Sequence, residues 1–176
     1  MPRELFEFSE PARITVGAIG EPGHRVFLLQ VSEGEQSINL KLEKEQVYAL
    51  AKGIDNVLEE LAQREVAHAL QFEEPPPEDM ILREPIEAEF VVGQMGLVYD
   101  EQSNRLVLIL QELTEDDEPA VAHLWATLGQ MSALSKVAKD IVARGRPICP
   151  LCHRPIDPEG HFCPDGNGHG TQIGED

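Results

Sequence analysis

Three cysteines, Cys149, Cys152 and Cys163, and three of the six histidines fall between Ile148 and Gly170. Cysteine thiolates and imidazoles are the ligands that a tetrahedral zinc ion takes, and a two-residue gap between cysteines lets both sulfurs turn toward one ion. Cys149-Pro150-Leu151-Cys152 has that gap, and Cys163-Pro164 begins a second knuckle. A redox CxxC places its first cysteine at a helix N-terminus. Here the pair follows a helix stop and a proline, and no amphipathic helix comes after it. The position three residues beyond Cys163 is Gly166, which offers no ligand. The fourth donor must come from elsewhere. His161 lies two residues before Cys163 and reaches the same ion if Phe162 turns away. His169 reaches it if the glycine-flanked Gly166-Asn167-Gly168 folds back. His153 adjoins Cys152 and points away from the ion, and Asp165 is a poor partner for thiolate-rich zinc. His161 is the preferred ligand and His169 the alternative. Four protein ligands leave no position for water, so the expected set of Cys149, Cys152, His161 and Cys163 describes a structural Zn2+ site without catalysis.

The elements that must carry this segment read as strands followed by a helix, twice over. "ARITVGAIG" alternates apolar and polar residues, "RVFLLQV" is a nearly continuous apolar run, and "SINLKL" alternates again. Glu21-Pro22-Gly23 and Ser32-Glu33-Gly34 supply the turns between them. Val47, Leu50, Ala51, Ile54, Val57, Leu58 and Leu61 then follow helical spacing. In the second half "AEFVVGQMG", "RLVLILQEL" and "AVAHLWATL" are strands. Met131, Leu134, Val137, Ala138, Ile141 and Val142 mark a helix that Gly145 and Pro147 terminate.

The halves share letters in order. Val16-Gly17-x-x-Gly20 matches Val92-Gly93-x-x-Gly96, "VFLLQ" ending at Gln30 matches "VLILQ" ending at Gln111, and Gln46, Leu50, Lys52 and Val57 match Gln130, Leu134, Lys136 and Ile141 at one offset. The pattern predicts an α+β fold. Duplicated three-strand-plus-helix units (about 11–70 and 86–145) form antiparallel sheet with two packed helices, and "ELFEFS" adds a strand at an edge. An acidic, proline-rich connector (71–85) joins the units, because three consecutive prolines do not continue a helix. Residues 1–145 form this domain, 146–170 a zinc-ribbon-like tail, and 171–176 a disordered end. Gln30 and Gln111, polar in apolar strands, are expected to hydrogen-bond across the repeat interface or to line a pocket there. Trp125 is expected to pack against a helix.

"EPGHRVFLLQ", "LEKEQV", and the tail pattern C-P-x-C-x-x-P-x-D-P-x-G-H-x-C-P after "ARGRP" together resemble a bacterial family catalogued as domain of unknown function 3090. The resemblance spans nearly the whole chain. It implies that the histidine of the pattern falls on His161 and leaves His169 outside it. It implies no activity.

Composition narrows the function classes. The formal charge is −18, with 14 basic residues against 32 acidic ones. Nucleic-acid binding rests on basic side chains neutralising phosphates, so nucleic acid is a disfavoured partner. No apolar run approaches the ~20 residues that span a bilayer, and the acidic start lacks the apolar stretch of an export signal. Three clustered cysteines fit a reducing compartment, so a cytoplasmic location is expected. No Walker, G-x-S-x-G or H-E-x-x-H pattern occurs. The expected role is a non-catalytic adaptor that binds a protein or small molecule. The alternative is an enzyme with its site in a cleft between the repeats, using Gln30, Gln111 and nearby acids.

Overall fold

The computed structural model describes residues 3–20, 23–64 and 72–144. Its elements run β1 (Leu5–Phe8), β2 (Arg13–Ile19), β3 (Val26–Glu33), β4 (Gln36–Leu42), α1 (Lys44–Gln63), a single 3₁₀ turn (Pro77–Met80), β5 (Ala88–Asp100), β6 (Arg105–Glu112), β7 (Val121–Thr127) and α2 (Leu128–Arg144). The fold is α+β. The seven strands form one sheet in the order β1-β7-β6-β5-β4-β3-β2.

The sheet is mixed, which corrects the expectation of an antiparallel one. The β4·β5 and β1·β7 ladders are parallel and the remainder antiparallel. The cause is the connection: β4 passes through α1 before β5, and a helical crossover returns the chain in the same direction. The terminal strands of the sheet, β1 and β2, are consecutive in the chain. Only residues 9–12 separate them, a link that spans at most ~18 Å at ~3.5 Å per residue. The two ends of the sheet are therefore close together, and the sheet curls around its contents.

Strand alternation decides what lies inside the curl. Ile14 and Val16, Leu29 and Val31, Leu40 and Leu42, Phe90 and Val92, Leu108 and Leu110, and Ala122 and Leu124 point inward and are buried. Val47, Leu50, Ala51 and Ile54 of α1 join them, as do Met131, Leu134 and Ala138 of α2, in one core that spans both halves. Each fully buried Leu or Ile contributes roughly 1.5–3 kcal/mol through removal from water. Phe6 and Phe90 meet with ring centroids 6.3 Å apart.

Both helices begin with the same device. Gln46 Oε1 accepts the Glu43 N–H at 2.8 Å, and Gln130 Oε1 accepts the Thr127 N–H at 2.9 Å. Each glutamine, at the third helical position, reciprocates a capping box. Each also reaches out with its amide: Gln46 Nε2 donates to the Val92 carbonyl at 2.9 Å, and Gln130 Nε2 donates to the Pro11 carbonyl at 2.8 Å. Between the helices, Asp55 accepts from Ser135 Oγ at 2.5 Å and from Lys139 Nζ at 2.8 Å. Burial opposes the charge on Asp55, but these two donors, with Lys52 beyond, outweigh it and hold its pKa below the ordinary value.

Candidate functional site

The outward faces of β2, β3 and β4 carry Arg13, Thr15, Gln30 and Asn39, all buried. Burial of four polar side chains demands partners, and the connector supplies them. Residues 79–87 lie across these strands as a strap whose backbone answers each side chain. Arg13 donates through Nη1 to the Asp79 and Ile81 carbonyls, both at 3.1 Å, and through Nη2 to Gln30 Oε1. Thr15 Oγ1 donates to the Met80 carbonyl at 2.7 Å. Gln30 brackets Arg83, accepting its N–H at 2.9 Å and donating to its carbonyl at 2.7 Å. The amide of Gln30 also donates to Asn39 Oδ1 at 2.8 Å, while Asn39 donates to the carbonyls of Pro85 and Glu87. Burial, with the neighbouring Arg83 guanidinium, lowers the Arg13 pKa from its ordinary value; Asp79 opposes them. Leu82 of the strap sits on Gly17, where an added Cβ would come within 2.6 Å of it.

The expectation of a Gln30–Gln111 contact across the repeats is not met. Both side chains lie on outward strand faces, and the halves meet through inward ones. Gln30 is consumed by the strap, and Gln111 is half-buried on the outer face of β6, three strands away in the same sheet. Trp125 is likewise turned outward and half-buried, with its Nε1 donating to Glu7 at 2.9 Å. Glu7 also meets His123 Nδ1 at 3.0 Å.

Where the connector rounds β2, the terminal strand of the sheet, it leaves a groove of about 690 Å³ against α2. Its floor is Val16, Gly17 and Ala18, and its walls are Met80, Ile81 and Leu82 on one side and Val137 and Ile141 on the other. Ile19 and Ile81 are exposed, Ile81 by 64%. The charged rim is largely self-paired: Lys136 Nζ meets Glu74 at 2.6 Å, and Arg144 meets Asp140 at 2.8 Å. Lys136 and Ser132 pull the Glu74 pKa below its ordinary value against a smaller opposing effect of burial. Such a groove can take an apolar side chain or an extended segment laid along a strand edge that is unpaired among the described residues. In the sequence, Met80-Ile81-Leu82 is an apolar triplet inside an acidic, proline-rich stretch; it reads as a pin that holds the connector to the surface and does not reveal the groove beside it.

Cys149, Cys152, His161 and Cys163, with the alternative His169, lie outside the described residues. Among the described residues no group of three or more His, Cys, Asp or Glu side chains is placed to hold a metal ion. No described helix is long and apolar enough to cross a membrane.

Comparison with curated proteins and with solved structures gives no match. A family model described as "Protein of unknown function (DUF3090)" matches residues 6–163. The match opens at Phe6, in the strand that closes one end of the sheet, and its last residue is Cys163. It therefore takes in the strap, the groove and the preferred metal ligands and stops short of His169. By the extent of that match, the chain belongs to the DUF3090 family.

Proposed function

We propose that this is a non-catalytic, cytoplasmic binding protein that takes an apolar segment of a partner protein in the groove between β2, the strap and α2. The observation that carries the reading is the groove itself: apolar walls with exposed Ile19 and Ile81 beside a strand edge, under a rim whose charges pair with one another. The polar residues of the neighbouring sheet face hold the strap and are not presented to a substrate. The two β-β-β-α halves are read as a duplication. They share element order and the double role of Gln46 and Gln130.

The tail after α2 is read as a structural zinc clip of Cys149, Cys152, His161 and Cys163. Three thiolates and one imidazole fill a tetrahedron, and Zn2+ there would stabilise a fold without activating water. The family match includes these four residues and excludes His169, which favours His161. One zinc per chain is expected by elemental mass spectrometry. It should be lost in Cys163→Ser and His161→Ala and retained in His169→Ala; retention in His161→Ala with loss in His169→Ala would reverse the assignment.

The binding reading is tested by affinity capture from the native host with intact protein, Ile81→Glu and Cys149→Ser, each checked for folding because zinc loss can unfold its own segment. A partner retained by the intact chain and lost with Ile81→Glu is expected. Equal capture by both would remove the groove from the reading. Loss with Cys149→Ser alone would assign docking to the tail.

A further inference from the structure

The charges around the groove do not cancel. Four cations border it, and each is engaged by its own chain. Lys136 meets Glu74 at 2.6 Å, Arg144 meets Asp140 at 2.8 Å, and Arg83 meets Asp79 at 3.2 Å. Arg25 lies over the Phe27 ring and donates to the carbonyl of Ile141, a residue of the groove wall. The connector carries four further carboxylates. Glu73, Glu78, Glu84 and Glu87 are exposed, and among the described residues none of them makes an ion pair. Four basic against seven acidic side chains leave a local balance of −3. The excess lies wholly on the connector.

The two walls therefore differ in kind. The α2 wall offers Val137 and Ile141. The strap wall offers Met80, Ile81 and Leu82, flanked in sequence by Glu78, Asp79 and Glu84. β2 ends the sheet, and a segment extended along it turns successive side chains to opposite sides. One set faces α2 and finds apolar surface. The other faces the strap and finds exposed Ile81 with carboxylates on either side of it. A Lys or Arg suits that second set, because its methylenes cover apolar surface while its charged head reaches the carboxylates.

We infer that the groove takes an extended segment of another protein in which apolar residues alternate with Lys or Arg. The inference rests on the groove reading of the proposed function and adds the chemistry of the partner. The apolar wall supplies the anchor. The exposed carboxylates govern encounter and selection more than strength once bound, and they reject acidic segments. Their reach is a Debye length, ~10 Å at 0.1 M salt.

The test uses the full chain and short fluorescent peptides in which Val alternates with Lys, with Ser or with Glu, read by fluorescence anisotropy. The Lys peptide should bind about fivefold tighter than the Ser peptide, and the Glu peptide weakest of the three. At ~0.5 M salt the Lys advantage should vanish while binding of the Ser peptide persists. Combined Glu78→Gln, Glu84→Gln and Glu87→Gln should cancel the advantage and leave the Ser peptide unaffected. Combined Glu101→Gln, Glu115→Gln and Asp117→Asn removes as many charges from exposed turns outside the groove lining and should change nothing. Equal losses in the two triple variants would reduce the preference to attraction by the whole acidic chain and overturn the inference. Ile81→Ser, which removes apolar wall without adding charge, should weaken all three peptides alike. Weakening by Ile81→Ser with no order among the peptides would keep the groove and overturn the cationic partner. Binding indifferent to Ile81→Ser would remove both. Self-association of the chain, released by Ile81→Ser, would give the groove to a second copy and overturn the inference.

Discussion

Gln30 of β3 and Gln111 of β6 are the same letter at the end of similar apolar runs, yet among the described residues only Gln30 is locked in place. Gln30→Ala would remove the acceptor of Arg13 Nη2 and both contacts to Arg83, leaving the guanidinium its Nη1 bonds to the Asp79 and Ile81 carbonyls. Among the described residues Arg13 Nε already has no hydrogen-bond partner, so a second unpaired nitrogen would join it. A loss of about 2–4 kcal/mol is expected by urea denaturation, because truncation strands a buried charged group. Gln111→Ala should stay within about 0.5 kcal/mol, as for most substitutions away from buried networks. Asp55 makes a pH-dependent contribution. Its folded pKa is depressed, so the stability it adds is present above the ordinary carboxylate value of ~4 and is lost as pH falls through the folded value. Asp55→Asn should flatten the acid limb of a melting-temperature profile below pH ~4 and raise it nowhere. None of these partners was legible in the sequence, since Gln30 meets residues of a connector more than fifty positions away, and only folding brings that connector over the strand.

At the scale of elements, helices and strands were legible where one face is apolar. Val47, Leu50, Ala51, Ile54 and Leu61 are buried as their spacing predicts, because a 3.6-residue period survives any choice of partner. Strand direction was not legible, because alternation is the same in parallel and antiparallel ladders; only the α1 crossover distinguishes them. Two helical glycines separate propensity from packing. Gly53 faces open space, and Gly53→Ala should raise stability by about 1 kcal/mol. Gly129, at the second position of α2, carries the connector: an added Cβ would land 1.8 Å from the Glu73 carbonyl oxygen. Gly129→Ala must move either the helix or the connector. A loss of more than about 2 kcal/mol is expected despite the better helix propensity of Ala, with calorimetry of the pair as the check.

For the whole molecule, one core runs through both halves, and each helix cap also fastens backbone beyond its own β-β-β-α unit: Gln46 the Val92 carbonyl of β5, Gln130 the Pro11 carbonyl in the link between β1 and β2. Urea transitions followed by Trp125 fluorescence and by far-ultraviolet circular dichroism should therefore coincide, the signature of a single cooperative unit. Separate midpoints would mean that the halves unfold independently. The pairing of β1 with β7 also sets an order in time. Glu7 and His123 face each other across 116 positions of sequence, so in a nascent chain β1 lacks its neighbour until more than a hundred further residues have been made. Until then Phe6 and Phe8 have no sheet to lie in. Contacts this distant are slow to form, in the range of milliseconds to seconds, and the interval exposes an apolar strand edge to other chains. A delay between the synthesis of β1 and that of its neighbour follows from where the chain ties that strand.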